Sequence, residues 1–135
     1  MSEVKEYYLN KGFNCAEACL RAANDRWKLG ITQEDLKLLS AFGGGMGCGK
    51  TCGVLAAAMA VLGRMAVQEN AHSTPDFRSL CGSFVRDFEA QTGGTDCKVL
   101  RPLYQQPDVR CLSLLEKGDA LLQERVYQEG LAEKV

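Results

Sequence analysis

The sequence has a single histidine, His72, and no Cys-x-x-Cys pair. The first leaves little imidazole for metal ligation or acid–base chemistry. The second removes support for thioredoxin-type exchange, and with Cys-x-x-Cys-His also missing, covalent haem attachment has none either. Charge of one sign is scarce. The net value is −1, so no strong field draws nucleic acid or an anionic membrane surface. Long apolar runs are lacking as well: Val54 to Leu62 falls far short of a membrane span. The opening Met1-Ser2-Glu3-Val4-Lys5 has no apolar signal-peptide core. There is no strand-like alternation and no internal repeat. These absences predict a soluble, cytoplasmic, all-α protein with no nucleic-acid and no membrane partner.

What is present is sulfur and glycine. The 135 residues suffice for one domain with a real core, expected over 1–135 with residues 1–3 and 129–135 frayed. Seven cysteines occur, at Cys15, Cys19, Cys48, Cys52, Cys81, Cys97 and Cys111. An odd number cannot pair completely, and a leaderless chain is a poor place for a disulfide framework. Free cysteine often serves as a small core hydrophobe, and Cys19 and Cys81 are assigned that part.

The helical pattern comes in about five to six pieces. Val4 to Leu9 is a short amphipathic segment with Val4, Tyr7 and Tyr8 on one side. Asn14 reads as an N-cap with Glu17 at the capping-box position, which puts Cys15 at the first helical residue. That helix ends near Lys28-Leu29-Gly30, with Gly30 as its stop. Thr32 to Ala41 is a second helix with Leu36, Leu39 and Leu38 inward. A helix apolar nearly all round follows Thr51, so it is expected at the centre, with Cys52 in its first turn. Ser73-Thr74-Pro75-Asp76 opens the next helix, whose stripe is Phe77, Leu80, Cys81, Phe84, Val85 and Phe88. Asp96 caps a short helix or turn that Cys97 begins. Pro107-Asp108 starts the last helix, which contains Cys111 and has a weak point at Gly118. His72 is expected in an exposed loop, and Met46, Met59 and Met65 in the core. The small-residue faces Ala18/Ala22 and Ala56/Ala60 suit close helix packing, within the chain or across a homodimer.

The chain is organised around Gly43-Gly44-Gly45-Met46-Gly47-Cys48-Gly49-Lys50-Thr51-Cys52-Gly53, a Gly/Cys-rich loop leading into the buried central helix. Gly44-x-x-x-x-Gly49-Lys50-Thr51 matches the P-loop letters, but that motif needs a buried strand before it. Here the preceding residues read as a capped helix, so nucleotide binding is set aside. A helix start offers unpaired N–H groups and a positive dipole end, and a thiolate near it has a lowered pKa.

Cys15, Cys52 and Cys97 each open a helix, and Cys111 lies near the start of a fourth. Four thiolates satisfy an iron–sulfur cluster or a structural zinc. Two suffice for a metal-free disulfide switch, with Cys15 and Cys52, or Cys48 and Cys52, as the exchanging pair. A structural zinc domain or a helical interaction module without redox activity is a further alternative.

Phe13-Asn14-Cys15-Ala16-Glu17-Ala18, then Phe42-Gly43-Gly44-Gly45-Met46, then Gly49-x-Thr51-Cys52-Gly53, the small apolar helix to Leu62-Gly63, and finally Cys97 and Cys111 resemble one family. It is the redox-active family named for the pattern C, GCAxxG, C, C. The resemblance runs from about residue 5 to 125. The family is bacterial and archaeal, small and helical, and is described as redox-active on the strength of its cysteines. A related domain occurs in split-Soret cytochrome c, where an iron–sulfur cluster accompanies haem. The resemblance therefore implies an iron–sulfur cluster, or another metal such as zinc, held by Cys15, Cys52, Cys97 and Cys111 for electron transfer with a redox partner that the sequence does not name. Whether the protein is an oxidoreductase or a carrier is left open. The literal GCAxxG is replaced here by Gly-Gly-Gly-Met-Gly-Cys-Gly, so Cys48 either stands in for the family's extra cysteine at shifted spacing or is peculiar to this chain, and Val54 and Ala57 stand where the family often has Ala and Gly. Haem does not carry over, because its attachment motif is missing.

Overall fold

The computed structural model describes residues 2–134, and among them the regular elements are all helical, with no strand. In chain order the α-helices are α1 (Glu3–Lys5), α2 (Cys15–Trp27), α3 (Gln33–Leu36), α4 (Gly53–Ala66), α5 (Phe77–Thr92), α6 (Cys97–Tyr104) and α7 (Leu112–Gln128). Seven exceed the five to six expected because α1 and α3 are single turns. Each runs on without a break, α1 into the π-type turn Glu6–Asn10 and α3 into the 3-10 segment Lys37–Phe42.

Helix α4 lies at the centre, against α2, α5, α7 and the 3-10 turn Leu131–Lys134. Val54, Leu55, Val61, Leu62 and Met65 bury most of its surface, as its nearly uniform apolar character requires. Two features let neighbours approach it closely. The Ala18/Ala22 face of α2 is fully buried within the chain. Gly118 of α7 is buried too, and a Cβ there would collide with the Val54 side chain. The expected weak point of α7 is therefore a packing requirement. Ala56 and Ala60 stay partly exposed.

The start of α2 follows from a local hydrogen-bond exchange. The Glu17 N–H donates to Asn14 Oδ1, and the Asn14 N–H donates to Glu17 Oε1, each at 2.9 Å, which satisfies two orphan donors at once. The helix stops at Lys28 rather than Gly30, since Lys28 itself takes the left-handed conformation (φ 51°) and returns its N–H to Asn24.

Two other helices begin later than the prolines suggest. Ser73 and Thr74 fold back onto Asn70, and Asp76 is left-handed, so α5 starts only at Phe77. Gln106 and Arg110 exchange both backbone hydrogen bonds, at 2.8 and 2.9 Å, which closes a turn over Pro107. The last helix thus starts at Leu112, with Cys111 as its N-cap. Leu38 and Met46 are corrections of burial: they are 71% and 48% exposed. The 3-10 geometry of 37–42 turns Leu38 outward, and Met46 sits on the outer side of the glycine loop. His72 is exposed, Cys19 is buried and Cys81 is half-buried.

At the ends, Ser2 caps α1 and Glu3 pairs with Arg26, while Leu131 is buried. Met1 and Val135, which fall in the segments expected to fray, lie outside the described residues. No helix among those described is long and apolar enough to cross a membrane.

Candidate functional site

Cys15, Cys52, Cys97 and Cys111 line one cavity of about 230 Å³, together with Tyr8, Arg101 and Arg110. Each cysteine arrives from a different helix start. Cys15 is the first residue of α2, Cys52 the N-cap of α4, Cys97 the first residue of α6 and Cys111 the N-cap of α7. Cys48 is not part of this wall. It is exposed on the glycine loop, where its thiol points back to the Gly45 carbonyl at 3.8 Å.

A short backbone pairing joins two of the four. The Cys52 N–H donates to Thr95 O at 2.8 Å, and the Cys97 N–H donates to Lys50 O at 2.6 Å. Thr51 and Asp96 face each other between these bonds. The pairing fixes the end of the glycine loop against the start of α6, and nothing in the local sequence announces it.

The glycines make room for this junction. Gly45 has φ +66°, and a Cβ on it would sit 2.6 Å from both the Cys97 Cβ and the Lys50 backbone. Only glycine meets both demands. A Cβ on Gly53 would sit 2.6 Å from Cys15 Sγ and 2.9 Å from Phe42 O. The run is therefore a steric clearance between the loop, α2 and α6. It is not a phosphate cradle: no strand precedes it among the described residues, and Met46, Gly47 and Cys48 carry non-helical dihedrals between Gly45 and Gly49.

The electrostatics correct one expectation. Burial pushes the Cys52 thiol up to about 11, and thiolates at Cys15 or Cys97 would push the same way; the N–H groups of Leu55 and Val54 oppose the shift but do not overcome it. A helix start lowers a thiol pKa only where water still reaches the sulfur, and Cys52 is 4% exposed. Cys111 is also raised, by burial first and then by Cys97 and Cys15, while Arg101 and Arg110 pull it down. Cys19, buried behind the wall, is raised well above its ordinary value by burial.

Three residues that sequence reasoning did not single out complete the site. Arg101 Nη2 donates to Cys97 Sγ at 3.4 Å. Its spacing of one helical turn from Cys97 was the available signal. Arg110, adjacent to Cys111, lies over the Tyr8 ring with its guanidinium carbon 4.0 Å from the centroid, and donates to the Tyr8 carbonyl at 2.9 Å. The Tyr8 hydroxyl in turn accepts from the Cys111 N–H at 3.3 Å. Among the described residues, no carboxylate lines the cavity.

The donor set suits a group bound through sulfur. Thiolates are its natural ligands, and the two guanidinium groups offset the charge that bound thiolates bring. Among the described residues, no three Cys, His, Asp or Glu side chains converge as a site for a single ion.

A family model described as "Putative redox-active protein (C_GCAxxG_C_C)" matches residues 13–125. No curated protein matches the chain, and no solved structure does. The match spans most of the sequence and takes in all four cavity cysteines, and the chain belongs to this redox-active family.

Proposed function

We propose that Cys15, Cys52, Cys97 and Cys111 hold an iron–sulfur cluster and that the protein carries electrons through it. The observation that carries this reading is the meeting of four thiols, from four helix starts, around one carboxylate-free cavity with two arginines. The raised Cys52 thiol weakens the rival reading of free-thiol exchange. At neutral pH a thiol held up near 11 is protonated and idle as a nucleophile, whereas a coordinating metal deprotonates it outright. Bound there, the cluster would supply a one-electron redox centre. The chain's own parts are the four sulfur ligands, the Arg101 hydrogen bond to Cys97, and the apolar wall of Val54, Leu100, Leu114 and Leu115 that limits water. Hydrogen bonds to ligand sulfur and exclusion of solvent both set reduction potential.

Metal-free thiol–disulfide exchange between Cys15 and Cys52 is the second reading. It is favoured by their proximity across Gly53. Absorption spectra with iron and acid-labile sulfide analysis, on protein purified without oxygen, separate the two. The cluster reading expects visible absorption with stoichiometric iron, lost in Cys52→Ser and kept in Cys81→Ser. Equal iron retention in both variants would sink the ligand assignment. A colourless, metal-free protein with a Cys15–Cys52 disulfide in its peptide map would establish the exchange reading instead.

A further inference from the structure

The sign of the charge around the cavity differs from that of the whole chain. The protein carries −1 overall, yet Arg101 and Arg110 are the cavity's charged lining groups and no Asp or Glu faces them there. The ion pairs among the described residues engage Arg26, Lys37 and Arg125, not these two. Each guanidinium makes one hydrogen bond, Arg101 to Cys97 Sγ and Arg110 to the Tyr8 carbonyl. A guanidinium has five N–H donors in a fixed fork that matches two oxygens of a carboxylate or phosphate. Asn14 and Gln105 add amide groups to the same wall. Stacking on Tyr8 holds Arg110 in place, so less side-chain freedom is lost when a ligand binds.

We infer that the cavity, at Arg101 and Arg110, seats a small ligand bearing an oxyanion, a carboxylate or phosphate group, beside the Cys97 sulfur. The inference rests on reading this cavity as the functional site and adds the chemical class of what enters it. The competing account is that the two cations only balance thiolates at Cys97 and Cys111. The two accounts differ in one respect. Cations that only balance thiolates favour any anion through their field, which lysine reproduces, while an oxyanion seat also depends on the guanidinium fork and is filled by phosphate better than by chloride.

Alkylation supplies the test. The full chain, reduced and freed of metal by chelation, is treated with iodoacetate or with iodoacetamide, and modification of Cys97 is followed by peptide mass mapping. N-acetylcysteine amide gives the reference ratio of the two rates. At low salt the anionic reagent should gain about tenfold on the neutral one relative to the reference, since a focused positive field raises anion on-rates by at least that factor. The gain should vanish in the Arg101→Gln/Arg110→Gln double variant and shrink in Arg101→Lys/Arg110→Lys, which keeps the charge and loses the fork, with circular dichroism confirming that each is folded. Inorganic phosphate should protect Cys97 more than sodium chloride does at equal ionic strength. A reference-like ratio overturns the inference, and so does phosphate protection no greater than that of chloride. The assay needs no cluster, so its outcome is separable from that of the iron analysis. Iron-free protein with a strong anion preference removes the cluster and keeps the seat, and iron-loaded protein without the preference does the reverse.

Discussion

Helix α2 joins two polar regions that treat their cations in opposite ways: Arg26 is part-buried, whereas Arg101 and Arg110 are exposed. Near its C-terminal end, Arg26 is held by Asp119 of α7 at 3.0 and 2.8 Å and by Glu3 at 2.8 Å. Gln123 adds an amide hydrogen bond to the same Asp119 carboxylate. The charge is neutralised within the protein, and the cluster ties α1, α2 and α7 together. At the N-terminal end the cavity has two arginines and, among the described residues, no carboxylate; its other polar side chains are the thiols, Tyr8 and the amides of Asn14 and Gln105. Both regions place charge against apolar core. One completes its electrostatics within the fold, and the other leaves them to be completed by thiolates, a cluster or an incoming anion. A cation left without an anion at the wall of a cavity is the mark that separates a site from a strut.

That contrast can be broken from the closed side first. Asp119→Ala leaves the part-buried Arg26 with only the half-exposed Glu3 as partner, and the loss should be about 2–3 kcal/mol, between the exposed and fully buried limits for an ion pair. Urea denaturation should show that loss, while the alkylation ratio at Cys97 stays unchanged. A fall in the ratio would mean that the two regions are one.

The open side answers to pH. The folded Cys52 thiol is raised to about 11 from an ordinary value of 9.0. The folded state therefore holds its proton where the unfolded chain has released it. The contribution is fully present below pH 9 and is lost as pH climbs from about 9 to about 11, amounting to about 3 kcal/mol for two units. Denaturation of the metal-free protein across that range should show the decline, and Cys52→Ala should remove its own share, about 3 kcal/mol, leaving the part that Cys19 and Cys111 contribute through their own raised thiols. A decline of equal size in the variant would place the cause elsewhere.

The smallest effect tests the seam between cavity wall and helix cap. Asn14 caps α2, donates to Ser40 O at 2.9 Å and also lines the cavity. Asn14→Ala should cost about 1 kcal/mol of stability and leave iron retention intact. Loss of iron beyond that expected from the stability change would make Asn14 part of the site.

How much of this was legible depended on the distance between cause and effect along the chain. The capping box of Asn14 and Glu17 acts over three residues, and the sequence displays it. The placement of Cys15 and Cys97 at the first residue of a helix follows from equally local signals. The starts of α5 and α7 were misplaced because Pro75 and Pro107 look like first-turn prolines, while the turns that outcompete them rest on Asn70 and on the Gln106–Arg110 exchange. Gly118 was read through helix propensity, when its meaning lies in Val54 on another helix. The raised Cys52 thiol was missed for the same reason: the helix start is local, but the burial that overrides it is supplied by the rest of the fold.

The backbone pairing of Lys50–Cys52 with Thr95–Cys97 has a kinetic side. It closes a loop containing the whole of α4 and α5, so the chain surrenders that loop's freedom before Cys52 and Cys97 can face each other. Contacts between residues so far apart in sequence form late and slow folding. A nascent chain would expose Cys52 while α6 was still being synthesised, and its oxidation or wrong pairing would be confined to that interval. Once the pairing has formed, Cys52 is shut into the core and that window closes.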